Sequence, residues 1–133
     1  MYNIIMDKII FEWDEEKNQI NIVKHGISFL EAQTVFYDEN AVLFDDPDHS
    51  EYEDRYLIIG IAKSEKICIV SHCYRGMEDN IVRIISARKA TKSEQQFYND
   101  YNGDFISIYS GEKCLVPFKL IENYLKHPIK NFS

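Results

Sequence analysis

The sequence predicts an α+β domain built on a mainly antiparallel sheet. Three short apolar runs rich in β-branched residues, 56–61, 67–71 and 81–86, follow one another across the polar turns 63–66 and 76–80. That spacing reads as consecutive antiparallel strands. Two short segments with capping signals and helical apolar spacing stand ahead of the strands, and a third stands behind them.

Taken in order, residues 9–13 read as a first strand. Asp14 is a suitable N-cap, and Glu15 and Glu16 put negative charge in the first helical turn, where the macrodipole favours it. Ile20, Val23 and Ile27 supply the expected buried face of that helix, and Gly26 its left-handed stop. Ser28 caps a second helix and Glu31 completes an S-x-x-E box, with Phe29, Ala32, Val35 and Phe36 as the apolar stripe. Residues 41–44 form the next strand, ended by the turn 45–48 around Pro47. A polar link, 49–54, leads into the three central strands. Thr91 and Glu94 then make a capping box for a helix over about 92–101, with Phe97, Tyr98 and Tyr101 along its apolar edge and Gly103 behind it. Residues 105–109 and 113–116 have the pattern of a hairpin, and Pro117 opens a last helix lined by Phe118, Ile121 and Leu125. No linker or repeat divides the chain. Residues 1–133 are therefore read as one domain, with 102–133 an extension packed on the rest.

A chain of 133 residues that is 45% hydrophobic is long enough for one real core. No apolar run approaches the roughly 20 residues that span a bilayer. No basic leader precedes an apolar stretch, so no signal peptide is expected. Cys68, Cys73 and Cys114 are odd in number and lack C-x-x-C spacing, which points to reduced thiols in the cytoplasm rather than a disulfide or zinc framework. The net charge of -7 runs against nucleic-acid binding as a whole-surface property. Charge is unevenly placed, however. Residues 38–54 hold eight acids and no Lys or Arg, a surface suited to a basic partner. Every arginine, Arg55, Arg75, Arg83 and Arg88, falls in the strand region, while eleven lysines are spread along the chain. The guanidinium fork suits phosphate in a fixed geometry, although strand-end charges also solubilise a sheet.

Strand alternation constrains what these residues can share. In a regular strand over 66–75, Ile69, Ser71, Cys73 and Arg75 occupy one face, and Cys68, Val70, His72 and Tyr74 the other. His72 and Arg75 then diverge unless a bulge intervenes. Arg83 and Arg88 also differ in parity, with Arg88 read at or beyond the strand end. Asp46, Asp48 and His49 cluster, but no H-x-x-x-H or Cys pairing supports them, so no metal is expected. There is no glycine-rich phosphate loop and no G-x-S-x-G nucleophile.

Phe11-Glu-Trp-Asp-Glu-Glu-Lys-Asn18 followed by Asn21-Ile-Val-Lys-His-Gly-Ile-Ser-Phe29 resembles the opening of BrnT-type toxins, as do Glu31-Ala32 and Val35-Phe36. His49-Ser50, Glu53, Arg55 and Ile59-Gly60 are similar to the family's middle motif. Tyr74-Arg-Gly76 and Arg83-Ile-Ile-Ser-Ala-Arg-Lys-Ala90, with Glu94 and Tyr98, are similar to its end. The likeness covers about residues 9–101. It implies a RelE-like fold and a cofactor-free cytoplasmic ribonuclease that blocks translation. It also implies a neighbouring BrnA-like antitoxin, a DNA-binding protein that neutralises the toxin and represses the operon; operator DNA is reached only through that partner. The extension past residue 101 and the acidic balance depart from the pattern. They favour the alternative of a non-catalytic RelE-fold module that holds an antitoxin-like protein.

Cleaving RNA without a metal requires removal of the 2′-OH proton, stabilisation of the charged phosphorane and protonation of the 5′ oxygen. Arg75, Arg83 and Arg88 are the candidates for the phosphorane, and His49 and Glu53 for proton transfer. Arg55, Lys89, Lys24 and His25 are candidates for holding RNA. Each has a plainer reading. Arg75 is also a turn charge, Arg83 a partner for Glu53, and Arg88 a charge where the last core helix begins. His49 also fixes a turn, His25 suits a helix C-terminus, and His72 reads as a sheet histidine.

Overall fold

The structure, a computed structural model, describes residues 9–46, 54–77 and 79–101. The expectations for His49 and Glu53, and for the hairpin and helix after residue 101, lie outside them. Within the described residues the chain forms β1 (Ile10–Glu12), α1 (Glu15–His25), α2 (Phe29–Ala32) continued by a 3-10 stretch (Gln33–Tyr37), β2 (Val42–Asp45), β3 (Tyr56–Ile61), β4 (Ile67–Arg75), β5 (Ile81–Lys89) and α3 (Lys92–Asp100). The five strands make one sheet in the order β1-β5-β4-β3-β2. β1 runs parallel to β5 and the other pairings are antiparallel, so the expected α+β architecture with a mainly antiparallel sheet is what forms.

The helix ends follow their capping chemistry. Asp14 accepts hydrogen bonds from the backbone N–H of Glu16 and Lys17, and Gly26 closes α1 at φ 71° in the left-handed region that glycine tolerates. Ser28 caps α2 by accepting from the Glu31 N–H, while the Glu31 carboxylate takes a hydrogen bond from Ser64. The α2 stripe is buried as its spacing predicts, with Phe29, Ala32, Val35 and Phe36 all at 2% exposure or less.

The buried face of α1 corrects the sequence reading. Ile20 and Val23 are exposed, at 55% and 88%, and the residues turned to the sheet are Asn18 and Asn21. The reason lies in the sheet edge. β1 pairs with β5 only from Ile81 to Arg83, and no other strand among the described residues lies along the rest of that edge. Asn21 takes the strand's place: its Nδ2 donates to the Ala87 carbonyl at 2.8 Å and its Oδ1 accepts from the Ala87 N–H at 3.1 Å. The same Nδ2 donates to Ile27 O, and Asn18 Oδ1 accepts from the Phe29 N–H. Buried backbone groups demand such partners, so amides displace aliphatics on this face. Ile27, just past the helix, is buried as expected.

α1, α2 and the 3-10 stretch cover one face of the sheet. Phe36 meets the ring of His72 edge-on at 4.7 Å, and Phe11 meets Phe36 at 5.3 Å. Gly60 lets the 3-10 stretch approach β3: a Cβ there would lie 2.9 Å from Asp38 Oδ2 and 3.0 Å from Val35 Cγ1. α3 lies on the opposite face, where Phe97 meets Phe44 at 5.7 Å. From there Tyr98 reaches round the end of the sheet and donates its hydroxyl to Asp38 Oδ2, which also accepts from the Ile61 N–H.

Candidate active site

β4 and β5 carry Arg75, Arg83 and Arg88, and their register decides which face each arginine occupies. Along β4 the partners of β5 run Ile69↔Arg88, Val70↔Ala87, Ser71↔Ser86, then His72↔Ile84 and Cys73↔Arg83. Ile85 has no partner: it is the extra residue of a β-bulge on β5. β4 itself stays regular against β3, from Ile61↔Ile67 to Tyr56↔His72. Two consequences follow. The separation of His72 from Arg75 stands, because the bulge falls on the other strand. The parity of Arg83 and Arg88 is corrected, because one extra residue between them restores them to the same face. Arg88 is also placed inside β5, which runs to Lys89, rather than at or beyond its end.

Arg75 and Arg83 converge on Glu12 of β1. Arg83 Nη1 lies 3.0 Å from Glu12 Oε2, and Arg75 Nε lies 4.0 Å from the same oxygen. Glu12 is the cross-strand partner of Arg83, which sets the two side chains next to each other. The side chains of Arg75, Arg83 and Glu12 are 50%, 32% and 37% exposed, so all three reach solvent at one end of the sheet. Among the described residues the partner of Arg83 is thus Glu12, a residue of the first strand to which the sequence attaches no candidate role. Its signals in the sequence are alternation, as a charge between Phe11 and Trp13, and its place in the Phe11-Glu-Trp-Asp opening motif.

Arg88 is placed differently. Its Nη1 and Nη2 bind the two carboxylate oxygens of Glu94 at 2.8 and 2.9 Å. The Glu94 side chain is fully buried and that of Arg88 is 12% exposed. Glu94 Oε1 also accepts from the Thr91 N–H, completing the predicted capping box of α3. Arg88 shares a face with Arg83 but is locked between β5 and α3.

The other candidates are dispersed. Arg55 precedes β3 at the end of the sheet where β4 finishes, and its carbonyl accepts from the Asp46 N–H. Lys89 is exposed and pairs with Cys68, on the helix-covered side. Lys24 and His25 stand in the last turn of α1. His72 is wholly buried, with Nδ1 3.1 Å from the Val70 carbonyl and Nε2 3.1 Å from the Tyr74 hydroxyl. That network assigns the proton to Nδ1 and makes Nε2 the acceptor from Tyr74. Burial, reinforced by Tyr56 and Asp79, pushes the Tyr74 phenol above its ordinary value, which keeps it a donor. His72 is accordingly a sheet histidine, as its plainer reading held. Among the described residues, no cluster of three or more His, Cys, Asp or Glu is arranged to hold a metal ion.

The family model described as the ribonuclease toxin BrnT of type II toxin–antitoxin systems matches residues 13–94. A solved structure of the Brucella abortus ribonuclease toxin BrnT is 28% identical, over 62% of this chain and 99% of that one, with a TM-score of 0.48. No curated protein matches the chain.

Proposed function

Because this chain belongs to the BrnT family of ribonuclease toxins of type II toxin–antitoxin systems, we propose that it is an endoribonuclease that cleaves RNA without a metal ion and so inhibits translation. A cognate DNA-binding, BrnA-like antitoxin neutralises it, and the protein works in the cytoplasm. No helix among the described residues is long and apolar enough to cross a membrane.

The observation that carries this reading is the pair Arg75 and Arg83, brought together on Glu12 from two strands, with side chains 50% and 32% exposed. Two guanidinium groups aimed at one point suit the equatorial oxygens of a phosphorane and require no bound cation to supply positive charge. Arg88 supports the same face from behind through Glu94. Arg55, Lys89, Lys24 and His25 are dispersed over the fold and remain proposals for contacts to the RNA backbone away from the reacting phosphate. His49 and Glu53 remain proposals for proton transfer, outside the described residues.

The test is induced expression in cells, with growth and RNA integrity followed together, and incubation of purified protein with RNA in excess chelator. Growth arrest and RNA cleavage that survives the chelator are expected. Cleavage abolished by the chelator would reject the metal-free mechanism. Folded protein that leaves RNA and growth untouched would favour the second reading, a non-catalytic module that holds its antitoxin. The net charge of -7 and the burial of Arg88 against Glu94 favour that reading.

A further inference from the structure

We propose that Glu12 is the general base of the cleavage reaction, a role that rests on the ribonuclease reading above. Glu12 is the carboxylate set between Arg75 and Arg83, 3.0 Å from Arg83 Nη1 and 4.0 Å from Arg75 Nε. A phosphodiester gripped by these two forks must sit against it. A general base has to lie within hydrogen-bond reach of the proton it takes, and adjacency to the phosphate site satisfies that condition. Exposure separates this carboxylate from the other arginine partner on the same face. Glu12 is 37% exposed, whereas Glu94 is fully buried, spends its oxygens on Arg88 and Thr91, and cannot meet a substrate.

A purely structural role explains little of this placement. A half-exposed cross-strand ion pair contributes on the order of 0–1 kcal/mol. Its position on a three-residue edge strand, beside two solvent-reaching arginines, instead gives it access to RNA.

In the proposed step the Glu12 carboxylate takes the proton of the ribose 2′-OH. The 2′ oxygen forms a bond to phosphorus while the bond from phosphorus to the 5′ oxygen breaks. The 5′ oxygen leaves as a hydroxyl after taking a proton from water, and Arg75 and Arg83 hold the charge on the equatorial oxygens. The products are a 2′,3′-cyclic phosphate and a 5′-hydroxyl end, and protonated Glu12 returns its proton to solvent.

The experiment compares the full-length protein with Glu12→Gln and Glu12→Ala. Cleavage of a defined RNA oligonucleotide is measured beside anisotropy binding of the same sequence as uncleavable 2′-O-methyl RNA, with a thermal melt of each variant. Glu12→Gln keeps the contacts to the arginines but accepts no proton, so the rate is expected to fall by about 10²-fold or more with affinity unchanged. Added formate is expected to restore part of the activity of Glu12→Ala in proportion to its concentration. Glu12→Gln that cleaves like the parent would overturn the assignment and leave the ribonuclease reading standing. Equal loss of rate and affinity without formate rescue would also overturn it, leaving Glu12 as an anchor for the arginines. A 5′-phosphate product would exclude the 2′-OH as nucleophile, and with it this base. A parent protein that cleaves no RNA would remove the ribonuclease reading itself.

Discussion

Glu94 holds Arg88 through both carboxylate oxygens, at 2.8 and 2.9 Å, with the carboxylate wholly out of solvent. The same carboxylate closes the N-terminal cap of α3, so one side chain joins the end of β5 to the helix that follows it. Removing either partner leaves a buried charge uncompensated. Glu94→Ala and Arg88→Ala are each expected to lose about 3–5 kcal/mol in urea unfolding, and the double variant less than the sum. Arg88→Ala with an unchanged unfolding midpoint would show that the pair does not hold α3 in place.

Arg75 and Arg83 make the opposite case. Their ion pairs are open to water, so Arg75→Ala and Arg83→Ala are each expected to cost no more than about 1 kcal/mol of stability. Each is expected to lower RNA cleavage on the order of 10²-fold, by analogy with losing one oxyanion donor. Single-turnover cleavage beside a melting curve separates the two effects. Full activity in both variants would remove these arginines from the reaction.

Asn21 and Val23 lie two residues apart on α1 and are expected to respond in opposite ways. Asn21→Leu leaves the N–H and C=O of Ala87 and the carbonyl of Ile27 without their partner, at about 1–3 kcal/mol for each buried group. Val23→Lys, at a position 88% exposed, is expected to move stability by less than about 0.5 kcal/mol. Chemical denaturation of the pair is decisive: a tolerated Asn21→Leu would mean that the edge of β5 finds water instead.

Alkaline pH is expected to weaken the fold. Burial pushes the Cys68 thiol up from 9.0 to about 11. Burial, and then the hydrogen bond and charge of Asp38, raise the Tyr98 phenol above its ordinary 10.0. The unfolded chain releases these protons first, so it binds fewer of them than the native state in this range. The contribution to stability is therefore full below about pH 9 and falls as pH rises through about 11 and beyond. Urea midpoints measured from about pH 8 upward should decline, and Tyr98→Phe should flatten the upper part of that decline. A midpoint constant over the range would contradict these shifts.

The pattern of elements was readable from the sequence because caps and strand alternation are local. Asp14, Gly26 and Thr91 with Glu94 mark helix ends by bonds that close within a few residues. The amide face of α1 was not readable, since the need it meets arises at Ala87, 66 residues away. The site divides along the same line. Arg75 and Arg83 stood out by residue type, but Glu12, 71 residues before Arg83, meets it only once β1 docks on β5. The bulge at Ile85 has no marker in composition, as no glycine or proline stands there.

That bulge makes the arginine-bearing face a matter of counting. Five residue steps separate Arg83 from Arg88, an odd number that in an unbroken strand would send one guanidinium in among Phe36, His72 and the amides of α1. The unpaired Ile85 turns odd into even. Deleting Ile85 leaves four steps, again an even number, so both arginines keep their face, whereas one further residue inserted between them and not bulged out divides that face; a scan of single substitutions is blind to both lesions.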